Sequence, residues 1–127
     1  MKEVERLRQR ERRFRGREIL EGIGLRSEKE VEKVLQDLKN KKKIRDFAPS
    51  NNFNDKKGKD FFIVHCGKKE YYVIPIQVKS SKTGQRIHME KYPEVPSIRV
   101  ERKHLAILEY QIMRIITNFE KGRIIHI

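Results

Sequence analysis

The stretch from Gly58 to Ser81, GKDFFIVHCGKKEYYVIPIQVKSS, leaves this chain little choice of local structure. Phe61 to Cys66 and Glu70 to Lys79 are crowded with aromatic and β-branched side chains, and only Gly67, Lys68 and Lys69 separate them, so the two runs predict a hairpin. Side chains alternate along a strand, which puts Tyr71, Val73, Gln77 and Lys79 on one face and Tyr72, Ile74, Ile76, Val78 and Ser80 on the other. Opposed residues of an antiparallel pair have a constant sum of residue numbers, and a turn centred near Lys68 sets that sum at roughly 136. Asp60 then falls opposite the segment Pro75 to Gln77. With an odd sum, Asp60 shares a face with Gln77 and Lys79, about 5 Å across the ladder.

An acid, an amide and an ammonium gathered by one turn form a chemical constellation. Asp60 followed by Gln77-Val-Lys79 on a hairpin resembles the active-site motif of the PD-(D/E)XK nuclease superfamily, over roughly residues 24 to 80. In that family an Asp stands on one strand, and an acid, any residue and Lys stand on the next. Gln77 here replaces the usual acid, a variant that resembles the Mrr-like branch and some Holliday-junction-resolvase relatives. The resemblance implies a metal-dependent nuclease using Mg²⁺ or Mn²⁺, with Asp60 and Gln77 as metal ligands and Lys79 acting on water and phosphate. An amide oxygen can ligate a hard cation but contributes no charge. A Glu on the first helix often joins the family's metal site, and Gly24-x-x-x-Glu28 resembles its setting, so Glu28 completes the implied catalytic set.

The charge balance points the same way without the motif. The 127 residues carry a formal net charge of +13, which argues for a polyanionic partner, with nucleic acid ahead of an anionic membrane surface; that the nucleic acid is DNA is what the nuclease resemblance implies. No apolar run is long enough to span a bilayer and the Arg-rich start lacks the apolar centre of a signal peptide, so a cytoplasmic protein is expected. Cys66 is the single cysteine, which excludes an internal disulfide and a cysteine-based zinc site and suggests a core strand residue. A homodimer is compatible with the sequence but nothing in it requires one.

Residues 1–24 are expected as a basic helical arm and residues 25–127 as the domain. The arm holds seven arginines between Arg6 and Arg17 over a thin apolar stripe, and Arg8, Arg12, Arg13 and Arg15 are candidates for phosphate contact. Ser27-Glu-Lys-Glu30 reads as a capping box that opens a helix over 27–42, with Val31, Val34, Leu35 and Leu38 as its buried stripe. At roughly 100° per residue, Glu28 lies beside the row of Leu35. Lys41-Lys-Lys43 ends that helix and, with the arm, is a second candidate for holding the nucleic-acid backbone. Ile44 to Ala48 is expected as a strand, and Pro49 to Gly58 as a loop in which Asn54 and Asp55 approach the site.

Beyond the hairpin, Ser80-Ser-Lys-Thr-Gly84 is expected as a turn suited to phosphate, with Lys82 as a nucleic-acid contact. Residues 82–96 show no helical period, and His88 is expected at the surface. Ser97 to Glu101 reads as a strand, and Leu105, Leu108, Ile112, Ile115, Ile116 and Phe119 as the apolar stripe of a helix over 102–119. Arg123 to Ile127 reads as a last strand. The expected fold is α/β: a restriction-endonuclease-like mixed sheet with an antiparallel hairpin, flanked by helices and preceded by the basic helix. Two other functions fit the same residues. One is a non-catalytic nucleic-acid-binding module on a degenerate nuclease fold; the other is a structural basic protein of a nucleoprotein particle.

Overall fold

The computed structural model describes residues 26–50, 58–101 and 103–127. The basic arm and its arginines, with Asn54 and Asp55, lie outside the described residues. In chain order the elements are α1 (26–40), β1 (Asp46–Pro49), β2 (Phe61–Cys66), β3 (Tyr71–Lys79), α2 (Lys82–Lys91), β4 (Ser97–Arg99) and α3 (Leu105–Glu120). They build a four-stranded mixed sheet of order β1-β2-β3-β4, antiparallel except for β4, which runs parallel to β3.

The sheet packs one face against α1 and α3. Phe61 and Ile63 of β2 and Ile74, Ile76 and Val78 of β3 meet Val31, Val34, Leu35 and Leu38 of α1 and Leu108, Ile112, Ile115 and Ile116 of α3 in one cluster. Full burial of each such side chain contributes about 1.5–3 kcal/mol relative to exposure. Two ion pairs tie the turn after α1 to α3: Lys41 Nζ and Lys43 Nζ each lie 3.2 Å from a carboxylate oxygen of Glu109. On the opposite face of the sheet, α2 packs over the β3–β4 side. Among the described residues, no helix is long and apolar enough to cross a membrane.

Several local expectations need correction. Arg26 is already helical, so Ser27 does not cap α1; it sits one turn before Val31 on the inward stripe and is buried. α1 ends at residue 40, closed by Lys43 N–H to Leu38 O at 2.9 Å and Lys42 N–H to Lys39 O at 3.0 Å, with Lys42 left-handed at φ 61°. Pairing in β1 begins at Asp46, because Ile44 turns inward to the core. Residues 82–91 are a helix where none was expected. The stripe from Arg123 to Ile127 makes an isolated parallel bridge, His126 with Ser97, rather than a strand. Leu105 is half-exposed at the first turn of α3, and Cys66 is exposed because it alternates with the buried Phe61 and Ile63 and so falls on the face away from the core.

Candidate active site

The hairpin register decides whether a site exists. Phe61 pairs with Ile76 and Cys66 with Tyr71, a sum of 137 (61 + 76), so Asp60 stands opposite Gln77. The odd sum comes from the turn. Gly67 N–H donates to Glu70 O at 2.8 Å, so four residues rather than three make the link. A Cβ on Gly67 would lie 2.5 Å from Cε2 of Tyr72, which packs across the turn. Alternation along β3 puts Gln77 and Lys79 on the face away from the main core, and Asp60, in the bend one residue before β2, stands across the ladder from Gln77.

Asp60 has a local reason to be where it is. Successive amides of β3 point alternately to its two neighbours, and Val78 N–H points toward β2 at the place where β2 has ended. The Asp60 carboxylate accepts that hydrogen bond through Oδ2 at 2.8 Å, while Asp60 N–H donates to Ile76 O at 2.8 Å. The carboxylate thus completes the ladder as a side chain. Two residues upstream, Gly58 is buried with φ +75°, and a Cβ there would lie 2.4 Å from Cδ2 of Tyr92. Only glycine lets the incoming chain pass under that ring and deliver Asp60.

Gln77 faces α2 and is 8% exposed, and its side-chain Oε1 is buried without a hydrogen-bond partner. Leaving such an acceptor unmet costs about 1–3 kcal/mol. Lys79 is half-buried, and its chain runs past α2, its Cδ 3.7 Å from where a Cβ on Gly84 would stand. Ser81 closes the turn that follows: its Oγ accepts from Gly84 N–H at 3.1 Å and caps α2. The hydroxyl expected to meet phosphate is therefore spent on the helix start.

A polar network that the sequence does not advertise fixes α2 against β4. His88, expected at the surface, is 3% exposed, with Nε2 2.9 Å from Val95 O. Gln85 Nε2 donates to Ser97 Oγ at 3.1 Å and to Ile127 O at 3.0 Å. Ser97 Oγ lies 2.7 Å from His126 Nδ1, and His126 Nε2 lies 3.1 Å from Pro93 O. Carbonyls only accept, so both imidazoles carry their proton on Nε2, and Ser97 donates to His126 Nδ1. Burial holds the His88 imidazole below its ordinary pKa, and the nearby charge of Lys79 adds to that shift in a smaller measure. Ser97 is fully buried, so this serine–histidine contact positions α2 and does not attack a substrate.

Of the other expected residues, Lys82 is exposed on the first turn of α2. It lines a shallow groove of about 500 Å³ with Thr83, Arg86, Met89 and Arg99. Glu28 is half-buried on the first described turn of α1, which lies on the core face of the sheet. Among the described residues, no three His, Cys, Asp or Glu side chains cluster as a metal-binding group. Arg86 and Arg99 escaped the sequence analysis because Arg86 becomes adjacent to Lys82 only on a helix, and Arg99 only through the parallel pairing of β4. No known family model matches this sequence, and no curated protein or solved structure matches the chain.

Proposed function

We propose that the chain is a metal-dependent endonuclease that hydrolyses phosphodiester bonds in DNA at the row formed by Asp60, Gln77 and Lys79. The observation that carries this reading is the odd hairpin register, which brings Asp60 across the ladder from Gln77, whose amide oxygen is buried without a hydrogen-bond partner, with Lys79 next along the face of Gln77. The helix that directly follows the strand of Lys79 supports it, since that is the commonest layout in the family this motif resembles.

The residues fit a hard divalent cation. Asp60 offers a carboxylate, which also accepts from Val78 N–H, and Gln77 offers an amide oxygen without a hydrogen-bond partner. Mg²⁺ commonly takes only one or two carboxylates from a protein and fills its other positions with water and phosphate. Asp60 and Gln77 would hold the ion; Glu28, on α1 at the core face of the sheet, does not join them. A bound Mg²⁺ or Mn²⁺ supplies an acidified water and neutralises charge on the phosphate. Lys79 orients or deprotonates the attacking water and stabilises negative charge on the phosphate oxygens. Lys82, Arg86 and Arg99 hold the neighbouring backbone.

One observation favours the second reading, a nucleic-acid-binding module on a degenerate nuclease fold: Gln77 brings no charge, and no third acidic or imidazole ligand clusters with Asp60 among the described residues. An assay of DNA cleavage with and without Mn²⁺ separates the two. Cleavage that requires Mn²⁺ and disappears in Lys79→Ala supports the nuclease; duplex binding with no cleavage at any Mn²⁺ concentration leaves the binding module.

A further inference from the structure

Cys66 stands six residues, about 20 Å of extended chain, beyond Asp60. At that end of the hairpin the close of α1 and the end of β2 enclose a cleft of about 570 Å³ lined by Lys39, Lys42, Lys43, Ile44, Arg45 and His65. Three of its basic side chains already have partners. Lys39 lies 3.0 Å from Asp46, Lys43 lies 3.2 Å from Glu109, and His65 meets Glu120 through Nε2. Lys42 and Arg45 are exposed and, among the described residues, have no ion pair. Arg45 is fixed to the strand by its own N–H, which donates to Val64 O at 2.9 Å.

The backbone at Lys42 is the independent clue. Lys43 N–H to Leu38 O and Lys42 N–H to Lys39 O form the paired bonds of a Schellman closure, and Lys42 occupies the left-handed position that glycine takes without steric cost. Lysines near a helix C-terminus complement the helix dipole, which accounts for Lys39, Lys41 and Lys43. That account is satisfied equally well with glycine at position 42. An exposed lysine in the left-handed region, beside an arginine that has no ion pair among the described residues, in a formed cleft, points to a ligand for both.

We infer that this cleft seats a phosphate of the nucleic-acid backbone between Lys42 and Arg45, as a second anchor remote from the Asp60–Lys79 row. The guanidinium of Arg45 forks onto two phosphate oxygens while Lys42 adds a point charge. The inference rests on nucleic acid being the partner, and not on cleavage.

Affinity of the full chain for a short DNA duplex is measured in EDTA across a series of KCl concentrations, for wild type, Lys42→Gly, Arg45→Ala and the control Lys33→Ala on the outer side of α1. Each cleft variant is expected to weaken binding about tenfold and to lower the slope of log K against log salt by about 0.9. Lys42→Gly is also expected to raise the melting midpoint by about 4 °C, which separates lost contact from lost fold. An unchanged slope in both variants, an equal loss in Lys33→Ala, or no duplex binding by the wild type would overturn the cleft. Because EDTA removes metal from the assay, these slopes in a protein that never cleaves DNA would defeat the nuclease reading and leave the cleft standing.

Discussion

Gln77 is the residue on which the site turns. It sits where an apolar side chain would pack equally well, and its Oε1 is buried without a partner. Replacing an unsatisfied buried acceptor with an apolar group of similar length removes its desolvation cost. Gln77→Met is therefore expected to stabilise the fold by about 1 kcal/mol, read as a higher urea midpoint at unchanged m-value, while weakening Mn²⁺ binding. Destabilisation would mean that the amide oxygen has a structural partner and that its place needs no ligand to explain it. Asp60 is different, because its carboxylate also ends the β2–β3 ladder through Val78 N–H. Asp60→Ala would remove a hydrogen bond to a charged group, worth about 1.5–3 kcal/mol, together with the metal ligand. Asp60→Asn keeps an acceptor for Val78 and removes only the charge.

At the scale of elements, α2 explains both what sequence reasoning reached and what it missed. β2, β3, α1 and α3 were legible because each turns apolar residues to a common core at the period of its own geometry. α2 inverts that pattern. Its buried residues are Gln85 and His88, and its apolar Ile87 and Met89 face solvent, so no stripe betrays it. The helix is held by hydrogen bonds to β4 and the chain end, partners that only the parallel pairing of β4 brings near. Register parity was equally hidden, since it depends on whether Glu70 belongs to the strand or to the turn. The buried network carries a pH dependence. His88 has a folded pKa depressed below its ordinary 6.5, so the stability it confers as a neutral group is present above that pH and is lost as pH falls through the folded value. Unfolding midpoints compared at about pH 7.5 and about pH 5.5 should fall more in the wild type than in His88→Gln, whose amide can still donate to Val95 O. An equal fall in both would show that other groups carry the effect.

Across the whole molecule, the sheet separates two tasks. One face, with α1 and α3, supplies the core; the other carries Gln77 and Lys79 beside α2, with Asp60 at the end of the β2–β3 ladder. Basic residues flank this group at one end through Lys82, Arg86 and Arg99 and stand at the far end of the hairpin through Lys42 and Arg45. With +13 overall, this distribution suits a long polyanion lying across the sheet rather than a small ligand in a closed pocket. The most direct test of the central claim is a Mn²⁺ titration followed by electron paramagnetic resonance on wild type and Asp60→Asn, with DNA cleavage measured on the same samples. The account predicts that the wild type binds Mn²⁺ and cleaves, whereas Asp60→Asn keeps its melting midpoint and loses both. Mn²⁺ binding and cleavage at wild-type level in a folded Asp60→Asn protein would contradict it.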